Sequence, residues 1–285
     1  MTRTESITPT VLLEGLGLGE SPRWHDGKLW LSDWLAGQIL TVDEQGCRQV
    51  ALEMTGIPFC FDWLPDGRLL VLSNGEGRKL LRREPDGTLV AHADLTHISE
   101  YPWNEIVVDA QGNAYVNSIG YDMMAGEDPR PGVLALVTPD GTARQLADDL
   151  YFPNGMAITP DGSTLIVAES HAKRLSAFTI DSDATLSDRR IWAEVDGYPD
   201  GICVDADNAV WTAAMDRCLR IADGGEVLAE VPLDRSAFAC MLGGPDGTTL
   251  FVVAAEWKGT EGMAPDTRTG QVLTAKAPTP HAGRP

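Results

Sequence analysis

The chain has 285 residues, 43% hydrophobic and 22% charged, with a formal charge of −20 at pH 7. That composition excludes wholesale disorder and suffices for one large core. The acidic balance, 42 Asp+Glu against 22 Lys+Arg, disfavours nucleic acid and anionic membrane surfaces, which both bind through concentrated basic surface.

No apolar run reaches the roughly 18–20 residues that span a bilayer, and the first ten residues lack the apolar stretch of a secretory signal. Five scattered cysteines without a CxxC pair suggest neither a disulfide framework nor a zinc knuckle. A reduced, cytoplasmic setting is expected. The oligomeric state is left open.

In chain order, the first element is TVLLEGLG (10–17). A recurring unit follows: an apolar stretch, a tight turn, a second apolar stretch. The turns are HDG (25–27), PDG (65–67), AQG (110–112), PDG (160–162), ADN (206–208) and PDG (245–247). Asp-Gly supplies the φ > 0 positions of a two-residue hairpin. After each turn comes a strand-like segment: KLWLSD, RLLVLSN, NAYVNS, TLIVAES, AVWTAA and TLFVVAA. The turns end 39 to 50 residues apart, and weaker turns recur about 20 residues later, as in DEQG, EPDG and TPDG.

Four strands per 40–50 residues is the length of a β-propeller blade, and six turns imply six blades. The expectation is an all-β, six-bladed β-propeller of four-stranded blades around a central metal-containing channel, one domain over residues 1–285. Residues 10–17 are expected to add the outer strand of the last blade, closing the ring and removing a sheet edge. Residues 277–285, rich in Pro, Gly and Ala, are expected to form a flexible tail.

In a propeller, the innermost strand of every blade lines one channel, so equal register means equal depth. Counting back from each inner turn gives Glu20, Cys60, Asn104, Asn154, Asp200 and Cys240 or their neighbours. Asn or Asp before Gly is, taken singly, an ordinary turn residue. The shared register across four blades, with Glu20 in the non-turn sequence Gly-Glu-Ser-Pro, points to a site. Two carboxylates and two amides at one depth repel without a cation. All-oxygen donors suit Ca2+, Mg2+ or Mn2+ better than Zn2+. Four side chains leave coordination positions open for water or substrate. Cys60 and Cys240 read as small hydrophobes rather than nucleophiles. No GxSxG elbow supports a serine triad.

At these residues the chain resembles the family of senescence marker protein (regucalcin), gluconolactonase and luciferin-regenerating enzyme. The matching stretches are GESPRW (19–24), FPNGMAITPDGSTLIVAES (152–170), YPDGICVDADNAVW (198–211) and GGPDGTTLFV (243–252). The resemblance implies a six-bladed propeller and lactonase activity. It implies one divalent metal, Ca2+ first, with Mn2+, Mg2+ and Zn2+ as the other possibilities. It carries the metal ligands onto Glu20, Asn154 and Asp200, and a substrate- or metal-facing role onto Asn104. One departure is notable: sugar-lactone members often place an Arg two residues before that Asn, where this chain has Pro102, followed by Trp103. A bulky Trp103 at the site would suit a less polar substrate.

The expected reaction is opening of a small-molecule lactone. The metal polarises the carbonyl, and Asp200 doubles as ligand and base for the attacking water. Segments after the second strands are expected to rim the mouth: 33–34, 73–74, 117–118, 169–171, 215–216 and 256–257. Residues 120–132, the longest insertion, are a candidate lid, bringing Tyr121 to the substrate. His171, on the rim, is either a substrate contact and proton shuttle or an ordinary surface residue. The rival functions are phosphotriester hydrolysis on the same metal and a non-catalytic calcium- and metabolite-binding propeller.

Overall fold

The computed structural model describes residues 4–75 and 77–283. Six antiparallel sheets follow one another in a ring. Their inner strands are Gly19–His25, Phe59–Trp63, Trp103–Val108, Pro153–Ile158, Pro199–Val204 and Ser236–Gly243, numbered here as blades 1 to 6. This is a six-bladed β-propeller. Among the described residues there is no α-helix, only a 3-10 turn at Thr260–Gly262. No helix is long and apolar enough to cross a membrane.

The ring closes as expected. Thr10–Leu16 pairs antiparallel with Gly270–Lys276, from Thr10↔Thr274 to Leu16↔Gly270, so both halves of the chain build blade 6. A second closure was not foreseen. Glu5–Ser6 adds in parallel to the outer strand of blade 5, Glu5 opposite Ala229. A two-residue strand carries too little pattern to read.

Alternate residues of each strand point into the gaps between blades, and the core divides accordingly. Cys60, Leu72, Trp103, Ile106 and Val116 fill the gap between blades 2 and 3. Ala157, Ile166, Ile202 and Val210 fill the gap between blades 4 and 5. The turn chemistry is only partly as expected. Asp26 and Gly27 both have positive φ, 49° and 70°, as a two-residue hairpin needs. At PDG (65–67) only Gly67 is left-handed. Asp66 instead accepts the Arg68 N–H at 3.1 Å, the Asx arrangement that favours Asp beside a turn glycine.

The tail expectation is corrected for residues 277–283. Ala277 is buried, Thr279 Oγ1 donates to Asp207 Oδ2 at 2.7 Å, and His281 bridges Asp205. The His281 N–H also donates to the Gly247 carbonyl at 2.9 Å. These contacts pin the segment across the turns of blades 5 and 6. Residues 284–285 lie outside the described residues.

Successive blades are latched at one end of the channel. In blades 1 to 4 a residue at or just after the end of the second strand grips the start of the next inner strand. Trp34 Nε1 donates to the Phe59 carbonyl at 2.7 Å. Asn74 donates to the Trp103 carbonyl at 2.7 Å and accepts the Trp103 N–H at 2.9 Å. Asn117 Nδ2 donates to the Asn154 carbonyl and Ser170 Oγ to the Pro199 carbonyl, both at 2.7 Å. These residues were expected at the mouth as a rim; they are there, but as braces.

Candidate functional site

Glu20, Cys60, Asn104, Asn154 and Asp200 are each the second residue of their inner strands. The four polar ones lie within or beside breaks of register: between Glu20 and Arg23, Trp103 and Glu105, Pro153 and Met156, and Pro199 and Ile202. The strand bearing Cys60 pairs without a break. A bulge bends the strand and re-aims a side chain, so the irregularities fall where the chain turns polar groups into the channel.

The glycines after Asn154 and Asp200 are not turn formers. A Cβ on Gly155 would stand 2.5 Å from the Asp200 carbonyl oxygen, and one on Gly201 2.4 Å from the Ala239 Cβ. Blades 4, 5 and 6 therefore meet backbone to backbone at the depth of the site, which only glycine permits.

The structure brings the predicted polar residues together. Asn104 Nδ2 donates to Asn154 Oδ1 and to the Pro153 carbonyl, both at 3.3 Å. Asn154 Nδ2 reaches Ser170 Oγ at 3.3 Å. Burial pushes the Asp200 carboxyl well above its usual range, the Glu105 charge adds to this, and hydrogen bonds from Asn154 and the Gly201 N–H offset only part. Burial likewise raises Glu20, reinforced by Asp200 and then Glu105. Asp200 Oδ1 is buried without a hydrogen-bond partner.

Two residues given no role from sequence complete the centre. Arg23 reaches across the channel from blade 1 to blade 3. Its Nη2 donates to Glu105 Oε1 at 3.1 Å and to the Ile106 carbonyl at 2.7 Å. Ser21 Oγ donates to Glu105 Oε2 at 3.4 Å. Burial alone would lower the Arg23 guanidinium, but the Glu105 and Asp62 carboxylates hold it up. The available signal was a charged residue inside a buried strand, GESPRW.

Cys60 packs beside this pair. Burial first and Glu105 second push its thiol well up, so it is a neutral thiol and not a nucleophile.

The donor set fits a hard divalent cation. Both acids are raised by burial, Glu20 further by Asp200 and Asp200 by Glu105; Arg23 is engaged by Glu105, and one Asp200 oxygen is orphaned. A cation supplies the missing charge and the missing partner. Among the described residues no group of three or more His, Cys, Asp or Glu could hold a metal ion. The set here is two carboxylates and two amides.

Trp103 does not join them. It is 0% exposed, in the core between blades 2 and 3. As Asn104 turns inward its neighbour turns out, so an apolar substrate preference cannot rest on Trp103.

Tyr121 and His171 do meet at the mouth. Tyr121 is buried, its ring centroid 6.1 Å from Phe152 and 6.4 Å from His171; Phe152 and His171 are 4.7 Å apart. Burial lifts the Tyr121 hydroxyl to about 12 and lowers the His171 imidazole. The loop carrying Tyr121 is pinched at its neck, where a Cβ on Gly120 would lie 2.1 Å from the Pro131 carbonyl oxygen. It is braced internally by Asp122, which accepts the Ala125 N–H at 2.9 Å.

The family model described as SMP-30/Gluconolactonase/LRE-like region matches residues 18–256. The chain is 26% identical to a 6-deoxy-6-sulfogluconolactonase of Pseudomonas putida, over 94% of each chain. It is 27% identical to the pentonolactonase XacC of Haloferax volcanii, over 84% of this chain and 81% of the other. Its fold is similar to that of a calcium-binding protein, regucalcin, of Agrobacterium tumefaciens, with a TM-score of 0.78, 21% identity and 99% of both chains covered.

Proposed function

Since the chain belongs to the SMP-30/gluconolactonase/LRE-like family, we propose that it is a single-domain, cytoplasmic, divalent-metal-dependent hydrolase that opens lactones. The observation that carries this reading is the orphaned Oδ1 of Asp200 beside Glu20, Asn104 and Asn154. The naming of relatives as lactonases supports the reaction class. Glu20, Asn154 and Asp200 would hold the ion, for which all-oxygen donors suit Ca2+, Mg2+ or Mn2+ and the family resemblance puts Ca2+ first.

Bound there, the ion supplies Lewis acidity toward the ester carbonyl and charge balance for the acids. The remaining roles belong to the chain. Asp200 takes the proton of the attacking water. Glu20 would hold the cation, fixed by its place in the inner strand of blade 1. Asn104 Nδ2, whose two present hydrogen bonds are long, is free to re-aim at a substrate oxygen. The buried Arg23–Glu105 pair links blades 1 and 3 beside the centre. Ser170 and Asn117 fix Asn154 and the start of the next strand.

The test is proton release from a panel of γ- and δ-lactones and one phosphotriester, with EDTA and with Ca2+ or Mn2+ added back. Metal-restorable lactone hydrolysis is expected. Asp200→Asn is expected to lower kcat by about 10²- to 10⁴-fold with circular dichroism unchanged. Full activity in Asp200→Asn removes that residue from the mechanism. No lactone turnover from folded, Ca2+-loaded protein overturns the reading.

A further inference from the structure

We propose that the rim of this mouth selects lactones bearing a nonpolar substituent. Two clusters would make the contact: Phe152 and His171, backed by the buried Tyr121, beside blades 3 and 4, and Met215, Phe238 and Trp257 beside blades 5 and 6. This rests on the lactonase reading and adds the substrate class.

Each group is tied to the centre by backbone. Phe152 stands two residues before Asn154 with φ 57°, a conformation bulky residues rarely adopt. Its carbonyl accepts the Ser170 N–H at 3.0 Å, while the Ser170 hydroxyl meets Asn154 at 3.3 Å. His171 follows directly, so the Phe152–His171 contact flanks the residues that position Asn154.

Across the mouth, Phe238 is the extra residue at the register break of blade 6. Its carbonyl oxygen lies 3.1 Å from where a Cβ on Gly201 would be, beside Asp200. Its ring packs edge-on against Trp257 at 5.7 Å. Met215, also at positive φ, lies beside Gly197, three residues before Asp200. Met215 is 50% exposed and Trp257 44%. Large apolar side chains left open around a buried polar centre are what a ligand's apolar part would cover.

The nearby cations are drawn away from this role: Arg217 pairs with Asp196 at 2.9 Å and Lys258 with Glu256 at 2.8 Å. The Lys173 ammonium sits 5.0 Å over the Tyr198 ring, and Arg130 sits 5.3 Å over Tyr101 while paired with Glu127. A polyhydroxylated ring would lose water against the carbon surface of Phe152, Met215, Phe238 and Trp257, with only the Tyr121 hydroxyl, the His171 imidazole and the Trp257 indole N–H to replace it. An alkyl substituent would gain from burial.

The experiment follows kcat/KM across γ-lactones with side chains from methyl to heptyl, with glucono-δ-lactone as the polar reference. In parallel, calorimetry measures binding of the matching γ-lactams, which are not turned over. Each added methylene is expected to raise kcat/KM and lactam affinity by roughly two- to four-fold, and glucono-δ-lactone to lie below the alkyl series. Phe152→Gly, which accepts the positive φ, and Trp257→Ala are each expected to flatten that dependence.

Turnover with no chain-length dependence, or with preference for glucono-δ-lactone, overturns the proposal and spares the lactonase reading. Lactam binding that strengthens with chain length but no lactone turnover upholds the apolar rim and overturns the lactonase reading. Neither turnover nor length-dependent lactam binding overturns both.

Discussion

Replacing Arg23 by Met tests whether the channel's charge balance is the organising feature of the centre. The Arg23 and Glu105 side chains are 6% and 8% exposed and 3.1 Å apart. Removing the guanidinium leaves a buried carboxylate unpaired and strips the Ile106 carbonyl of its 2.7 Å donor. Breaking one side of such a pair costs about 3–5 kcal/mol, or roughly 6–10 °C in Tm for a chain of this size.

The companion is the double variant Arg23→Met, Glu105→Leu. It removes both charges and leaves apolar volume in place. The Ile106 N–H, which Glu105 Oε1 accepts at 2.8 Å, then loses its partner at a cost of about 1–3 kcal/mol. Urea unfolding in EDTA at constant m-value is therefore expected to show the double variant less destabilised than Arg23→Met alone, with a coupling energy of about 2 kcal/mol or more. A coupling below about 0.5 kcal/mol would refute the reasoning, because the two residues would then be energetically independent.

Gly201→Ala forces a Cβ to within 2.4 Å of Ala239. It is expected to destabilise by about 1–3 kcal/mol and to abolish activity by displacing Asp200. Gly162→Ala, at φ +73° in open space, is expected to cost about 1–2 kcal/mol with activity kept; equal loss of activity in both would show that close blade packing is not what positions the site. The Glu20 and Asp200 carboxyls are raised from ordinary values of 4.5 and 3.8. In that window the native state without cation holds more protons than the unfolded state, so stability declines as pH rises from the ordinary values through the raised ones. Thermal melts between pH 5 and 8 should show that decline in EDTA and its suppression by saturating Ca2+. Coincident profiles would mean that no cation compensates these acids.

Much of the centre was legible because a propeller converts register into depth. Glu20, Asn104, Asn154 and Asp200 recur seven or eight residues before the ends of the repeated turns, which puts each second in its inner strand, whereas Cys240, at a like offset, is fifth in its strand, Ser236–Gly243. The residues that escaped notice act across blades. Arg23 finds Glu105 82 positions away, and no spacing within one repeat reports such a pair. Trp103 was misplaced for a local reason: it adjoins a channel residue in sequence, but the bulge between Trp103 and Glu105 decides which neighbour faces inward.

The number of blades and the closure of the ring by residues 10–17 were legible in the chain alone, though the Glu5–Ser6 strand on blade 5 was not. The first two follow from the turn period, alternation of apolar residues and a leftover strand at residues 10–17, all of which are local signals. Only the tertiary structure decided that the glycines after Asn154 and Asp200 serve close packing rather than turns. It also decided that the end segment is docked, that residues near the ends of second strands brace the next blade, and that Tyr121, Phe152 and His171 meet. Each of these depends on groups from different repeats meeting in space, which a one-dimensional pattern cannot encode.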